Sequence, residues 1–124
     1  MSFESDIRRF NMKVRDAAED EFRARCLALA NGAIRNTPVL SGRLRANWQA
    51  TIDSPALGDL ESQGPRLGLW AAQNNVALTA ASLRIDQAFY LTNNLPYAVP
   101  VEEGNDKMPP RRMLARAIQA ASRR

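Results

Sequence analysis

AFYLTNNLPYAVPVEEG, residues 88–104, is the stretch on which the arrangement of the chain turns. It opens as a strand, with Phe89 and Leu91 on one side and Tyr90 and Thr92 on the other. Asn93-Asn94-Leu95-Pro96 then signals a reversal, because Asn tolerates unusual backbone angles and Pro96 has no N–H to give a ladder. Tyr97, Val99 and Val101 extend the apolar alternation, and Glu102, Glu103 and Gly104 close it as an acidic tip. Such a segment suits a structural edge better than a catalytic floor.

Upstream, residues 2–36 carry Phe3, Ile7, Phe10, Val14, Ala18, Phe22, Cys26, Leu29 and Ala33 in steps of three and four, the period of one long helix. Ser2 is its expected N-cap, and Glu4 and Asp6 suit the positive end of its dipole. Asn36-Thr37-Pro38 ends it, since a residue before proline avoids the helical region. At 1.5 Å per residue the rod is on the order of 50 Å long, more than a small domain is wide. Part of it is therefore expected to lie against something other than its own chain. Its opposite face alternates in sign, from Arg8, Arg9, Lys13 and Arg15 to Asp16, Glu19, Asp20 and Glu21, then Arg23 and Arg25. That pattern fits a solvated face with i,i+4 pairs or a charged contact with neighbours.

A turn is expected at Val39-Leu40-Ser41-Gly42. From Arg43 the period reads as two: Leu44, Ala46, Trp48, Ala50 and Ile52 on one face, Arg45, Asn47, Gln49, Thr51 and Asp53 on the other. Trp48 is expected in the core against the long helix. Residues 54–65 are turn-rich and acidic, a loop. Residues 66–83 fit a second helix with Leu67, Trp70, Ala71, Asn74, Ala77, Leu78 and Ala81 on its stripe, a helical insertion between two strands that should pair. Asn105 to Pro110 form a rigid loop, Pro110 is placed to start the last helix, and Met113, Leu114, Ala117, Ile118 and Ala121 are its buried stripe. Arg123 and Arg124 suit the negative end of that helix, whereas Arg111 and Arg112 sit against its positive start, a hint of an acidic partner. The fold class is thus α+β: a long N-terminal and a C-terminal helix packed on a small, mainly antiparallel sheet, within one domain over 1–124, with 54–86 as loop and insertion.

Bulk composition narrows the chemistry. The 45% apolar share of 124 residues supports a core, and no run is long enough to span a bilayer. The acidic start lacks the apolar run of a signal peptide, so the chain is expected to work in a cytoplasm or in something assembled there. Histidine is absent, which removes the usual general base and metal ligand, and Cys26 has no second cysteine to pair with. Glu102 and Glu103 would face opposite ways in an extended segment, a poor acid–base pair. No phosphate-binding glycine loop, nucleophile elbow or metal-ligand cluster appears, so no cofactor, metal or catalytic residue is assigned. Arginine outnumbers lysine fifteen to two, which fits an assembly interface, nucleic acid or a GC-rich genome. Residues 107–124 hold six basic residues and no acidic one, so non-specific phosphate contact stays open, while no motif for sequence-specific reading is present.

Three segments together resemble the tail-completion and neck proteins of tailed bacteriophages, the group that includes the tail-completion protein of phage lambda. They are Thr37-Pro38-Val39-Leu40-Ser41-Gly42-Arg43-Leu44-Arg45-Ala46-Asn47-Trp48, then Thr92-Asn93-Asn94-Leu95-Pro96-Tyr97-Ala98 followed by Glu102 or Glu103 and Gly104, and Met108-Pro109-Pro110-Arg111-Arg112-Met113-Leu114. A long helix before the first segment is also typical of the group. The likeness covers most of the chain outside 54–86. It implies a non-enzymatic virion subunit, assembled in the host cytoplasm, that forms a head–tail connector ring with copies of itself around the DNA channel. It also implies contacts with the tail tube or tail terminator on one side and a head-completion or adaptor protein on the other. Arg43, Arg45 or the Arg111/Arg112 pair would then meet Glu102 or Glu103 of a neighbour head to tail, near Pro96 and Tyr97. The alternative is a small basic nucleic-acid-binding protein that uses the Arg-rich C-terminal helix.

Overall fold

A computed structural model describes residues 2–39, 42–61 and 64–122. The expected turn at Leu40-Ser41 and the expected dipole partners Arg123 and Arg124 lie outside them. Helix α1 runs Phe3–Asn36, capped by Ser2, whose hydroxyl accepts from the Ser5 amide. It stops where the sequence says it should: the Thr37 hydroxyl donates to the Ala33 carbonyl at 2.6 Å, and Pro38 follows. Only its second half is built into the body of the fold. Cys26, Ala30, Ala33 and Ile34 are buried, whereas residues 2–18 are exposed throughout.

The stretch after Gly42 is not one strand. Arg43–Ala46 forms a helical turn, α2, and only Gln49–Ile52 forms strand β1. Gly42 takes φ +83, and a Cβ there would come within 2.8 Å of the Pro65 backbone, so glycine is required to start α2. Leu44, Ala46, Trp48 and Ala50 are buried as the alternation suggested, but for another reason. The helical turn is covered on several sides, by α3 (Pro65–Ser82), by α1 and by Asn93, which donates to the Leu44 carbonyl. Trp48 is in the core and its indole N–H donates to the Thr37 hydroxyl at 2.8 Å, tying the sheet to the end of α1.

β1 pairs antiparallel with β2 (Phe89–Thr92), Gln49 opposite Thr92 and Ile52 opposite Phe89, with α3 between them in sequence as expected. α3 presents its small residues to the body: Gly68, Ala72, Val76 and Ala80 are buried, not the expected Leu67/Trp70/Leu78 stripe. Close approach decides this, because a Cβ on Gly68 would sit 2.7 Å from the Ala46 Cβ. Asn75 completes the sheet: its carboxamide accepts from the Ala50 N–H at 2.8 Å and donates to the Ala50 carbonyl at 3.3 Å, covering the outer edge of β1.

The 88–104 segment is half strand and half helix. After Thr92 the chain turns through Pro96 and Tyr97 into α4, Ala98–Glu103. Ala98 and Val101, three apart, face the core and Val99 faces out, so the period is helical and the expected strand over 97–101 is overturned. Pro100 sits in the first turn, where its missing N–H costs nothing. At the preceding reversal, Asn93 and Asn94 act through side-chain bonds to the Leu44, Ala56 and Gly58 carbonyls; neither residue has positive φ. The last helix, α5, begins at Met113 rather than Pro110 and ends at Ala121, because the Arg111 and Arg112 amides are taken by the Val101 and Glu102 carbonyls. It lies along α1, burying Met113 and Ala117.

Candidate functional site

The expected contact residues fall in three places. Glu102, Glu103, Arg111 and Arg112 come together where α4 hands over to α5, through the Arg111 and Arg112 amides on the Val101 and Glu102 carbonyls, while Pro96 and Tyr97 stand at the opposite end of α4. Gly104, at φ +79, makes that corner, since a Cβ on it would meet the Pro110 nitrogen at 2.6 Å. An Asn105–Met108 bridge then folds the loop back on itself. Arg112 takes a left-handed conformation, φ +51, at the N-cap of α5 and supplies no side-chain cap. Glu102 supplies it instead: its two carboxylate oxygens accept from the Leu114 and Ala115 amides at 2.8 and 3.1 Å. A carboxylate at a helix N-terminus satisfies otherwise bare N–H groups and complements the dipole. Glu102 is therefore engaged in its own chain and half-buried, while Glu103 is exposed. The two carboxylates are neighbours on a helical turn, not opposite faces of a strand, and they do different work.

Arg43 and Arg45 belong to α2. Arg43 pairs with Asp59 of the 54–61 loop at 2.7 Å, so it serves its own fold. The same loop is held by Asn47, fully buried, which accepts from the Leu60 amide at 2.6 Å and donates to the Leu60 and Arg43 carbonyls. Arg45 points into a cleft of about 570 Å³ between α1 and α3, lined also by Arg35, Asn31, Gln73, Leu69 and Ile34. Its Nε is buried there with no hydrogen-bond partner. A cleft with two guanidiniums and two carboxamides suits an acidic group better than any reaction.

Among the described residues no group of three Cys, Asp or Glu side chains is placed to hold a metal ion. No described helix is long and apolar enough to cross a membrane. Burial raises the Cys26 thiol above its ordinary range, which keeps it protonated and unreactive.

The informative surfaces are apolar. Phe3, Phe10 and Val14 on outer α1 are 80%, 65% and 52% exposed, with Ile7 between them. Leu67, Trp70 and Leu78 stand out from α3, each more than 60% exposed. Between α1 and α5 a shallow groove is walled by Phe22, Cys26, Leu29, Ile118 and Ala121. Single exposed hydrophobics are ordinary, but stripes at helical spacing mark contact surfaces. The long helix and the apolar residues that line it were legible in the sequence. The α3 surface was missed, because its large residues were assigned to the core. No protein-family model, no curated protein and no solved structure matches this chain.

Proposed function

We propose that the chain is a structural assembly subunit, of the kind that forms a ring in the neck or at the head-proximal end of the tail of a bacteriophage. One observation carries the reading: half of a 34-residue helix stands clear of its own fold with an apolar stripe on it. A solitary protein gains nothing from such a stripe, whereas a subunit buries it against a neighbour. The motif resemblance in residues 37–48, 92–104 and 108–114 supplies the virion context, with tail tube or terminator and head-completion proteins as the other partners. Glu103, Arg111 and Arg112, exposed at the α4–α5 corner, are the charges left for head-to-tail contact. Glu102 is withdrawn from that role by its cap on α5.

Negative-stain images of the purified chain, alone and mixed with isolated phage tails, test this. Rings, or added density at the head-proximal tail end, are expected; a chain that stays solitary in both samples contradicts it. The second reading, nucleic-acid binding, draws on the exposed Lys107, Arg111, Arg112 and Arg116, a run without acidic residues. It predicts DNA affinity that falls steeply with salt, which an assembly subunit does not need.

A further inference from the structure

We infer that the outer half of α1 is a two-stranded coiled-coil surface, and that its occupant in the free protein is the same segment of a second copy, running antiparallel. The inference goes beyond the neck reading and does not depend on it. Phe3, Ile7, Phe10, Val14 and Ala17 alternate in steps of four and three, the d and a positions of a heptad. The next core position on that line is Glu21, so the stripe ends there. Farther along the helix, burial falls on Cys26, Ala30 and Ala33, which face the chain's own body. One helix thus carries two seams, an inner one already filled and an outer one bare.

The flanking charges choose orientation and register. In this heptad Asp6 and Lys13 occupy successive g positions, and Glu4 and Asn11 successive e positions. In a parallel pair, g faces the partner's e five residues on, which sets Asp6 against Asn11 and Lys13 against Ala18 and yields no ion pair. In an antiparallel pair, g faces g. Setting Phe3 across from Val14 and Ile7 across from Phe10 makes every core layer large and apolar, and it sets Asp6 of each copy against Lys13 of the other. Sliding the pair by one heptad would set Lys13 against Lys13 and Asp6 against Asp20. The sequence therefore favours one register and penalises the next.

The length of the bare segment fits as well. In the favoured register Ser2 of one copy lies abreast of Arg15 of the other. That is short of Glu19, the first residue of α1 that is not fully exposed. The two bodies then lie at opposite ends and do not collide. Such a pair is two-fold symmetric, and a cyclic ring with a head side and a tail side cannot keep it. Incorporation into a ring must exchange the partner copy for a ring neighbour.

Sedimentation velocity of the full-length chain across a concentration series tests the inference. The wild type is expected to show a reversible dimer. Asp6→Lys and Lys13→Asp alone should each weaken it, at least about tenfold in Kd, because each replaces two attractive contacts with two repulsive ones. An equimolar mixture of the two variants should recover dimer, since every g–g contact across the mixed pair is again opposite in charge. Ile7→Asn, at an exposed position outside the buried core, should leave a folded monomer. A wild type that is monomeric at all concentrations would overturn the inference. So would a dimer indifferent to the two charge variants, or a mixture that fails to recover. A wild type that forms rings on phage tails yet stays monomeric when free would sink this inference and leave the neck reading standing; a free dimer with the expected charge dependence that never enters a ring or a tail would do the reverse.

Discussion

Replacing Glu102 by Ala tests the most specific piece of local architecture in the fold. The carboxylate spans two amides at the start of α5, 2.8 Å from Leu114 N and 3.1 Å from Ala115 N. Arg112, at the N-cap, offers no substitute. A hydrogen bond to a charged group contributes about 1.5–3 kcal/mol when sheltered. Here the site is half-buried, so water can reach the bared amides, and the two bonds with their dipole term come to about 2 kcal/mol together. For a chain of this size that corresponds to a fall in Tm of roughly 6–10 °C. Glu102→Gln, which keeps one acceptor oxygen, should lose about half as much. Glu103→Ala, one residue on and exposed, should stay within about 0.5 kcal/mol. Urea titration followed by far-UV circular dichroism, with thermal melts alongside, measures all three. If Glu102→Ala and Glu103→Ala were equally mild, the cap would be an incidental contact and Glu102 would be free for a partner.

Asn47→Ala removes a fully buried side chain and leaves the Leu60 amide and the Arg43 carbonyl bare; a loss of about 2–3 kcal/mol is expected in the same titration. Gly68→Ala forces a methyl to within 2.7 Å of the Ala46 Cβ and should cost about 1–3 kcal/mol, with α2 and α3 moved apart. Because burial raises the Cys26 thiol, it should react with a disulfide reagent near neutral pH far more slowly in the folded protein than after denaturation. The same shift means the unfolded thiol ionises first as pH rises. The contribution of Cys26 to stability is therefore full at neutral pH and is lost on passing above the ordinary thiol range.

How much of this could be read in advance depends on how much backbone freedom each pattern left. α1 was legible because nine apolar positions kept one period between Ser2 and Pro38. The pairing of the strand at 49–52 with Phe89–Thr92, across an intervening helix, was legible from the two strand patterns that flank the helical segment. Residues 43–52 alternate as a strand would, yet their first half is a helical turn. A short element covered on several sides buries residues at almost any spacing, so alternation cannot identify it. Over 97–101 an apolar run with Pro100 fits a strand end or a first helical turn equally well, and the positive-φ Gly104, whose amide bonds back to the Pro100 carbonyl, closes α4 as a helix. α3 misled for the opposite reason. Its large apolar residues face out because a tight helix contact selects Gly68, Ala72 and Ala80. At the α4–α5 corner, Glu102, Glu103, Arg111 and Arg112 were read as charges that meet between copies, and the fold places them side by side in one chain. That Glu102 caps a helix while Glu103 stays exposed depends on where α5 starts, which Arg111 and Arg112 fix through their backbone rather than their charge.

Amide hydrogen exchange over residues 3–18 bears most directly on the idea that this chain is made to be joined to its own kind. In dilute solution these amides should exchange quickly, because a bare helix of that length is marginal in water. At high concentration, or in assembled material, protection should rise sharply at Ile7, Phe10 and Val14, while residues 26–34, already buried, change little. Uniformly slow exchange at every dilution, or fast exchange that no concentration or assembly alters, would mean that the outer helix needs no neighbour.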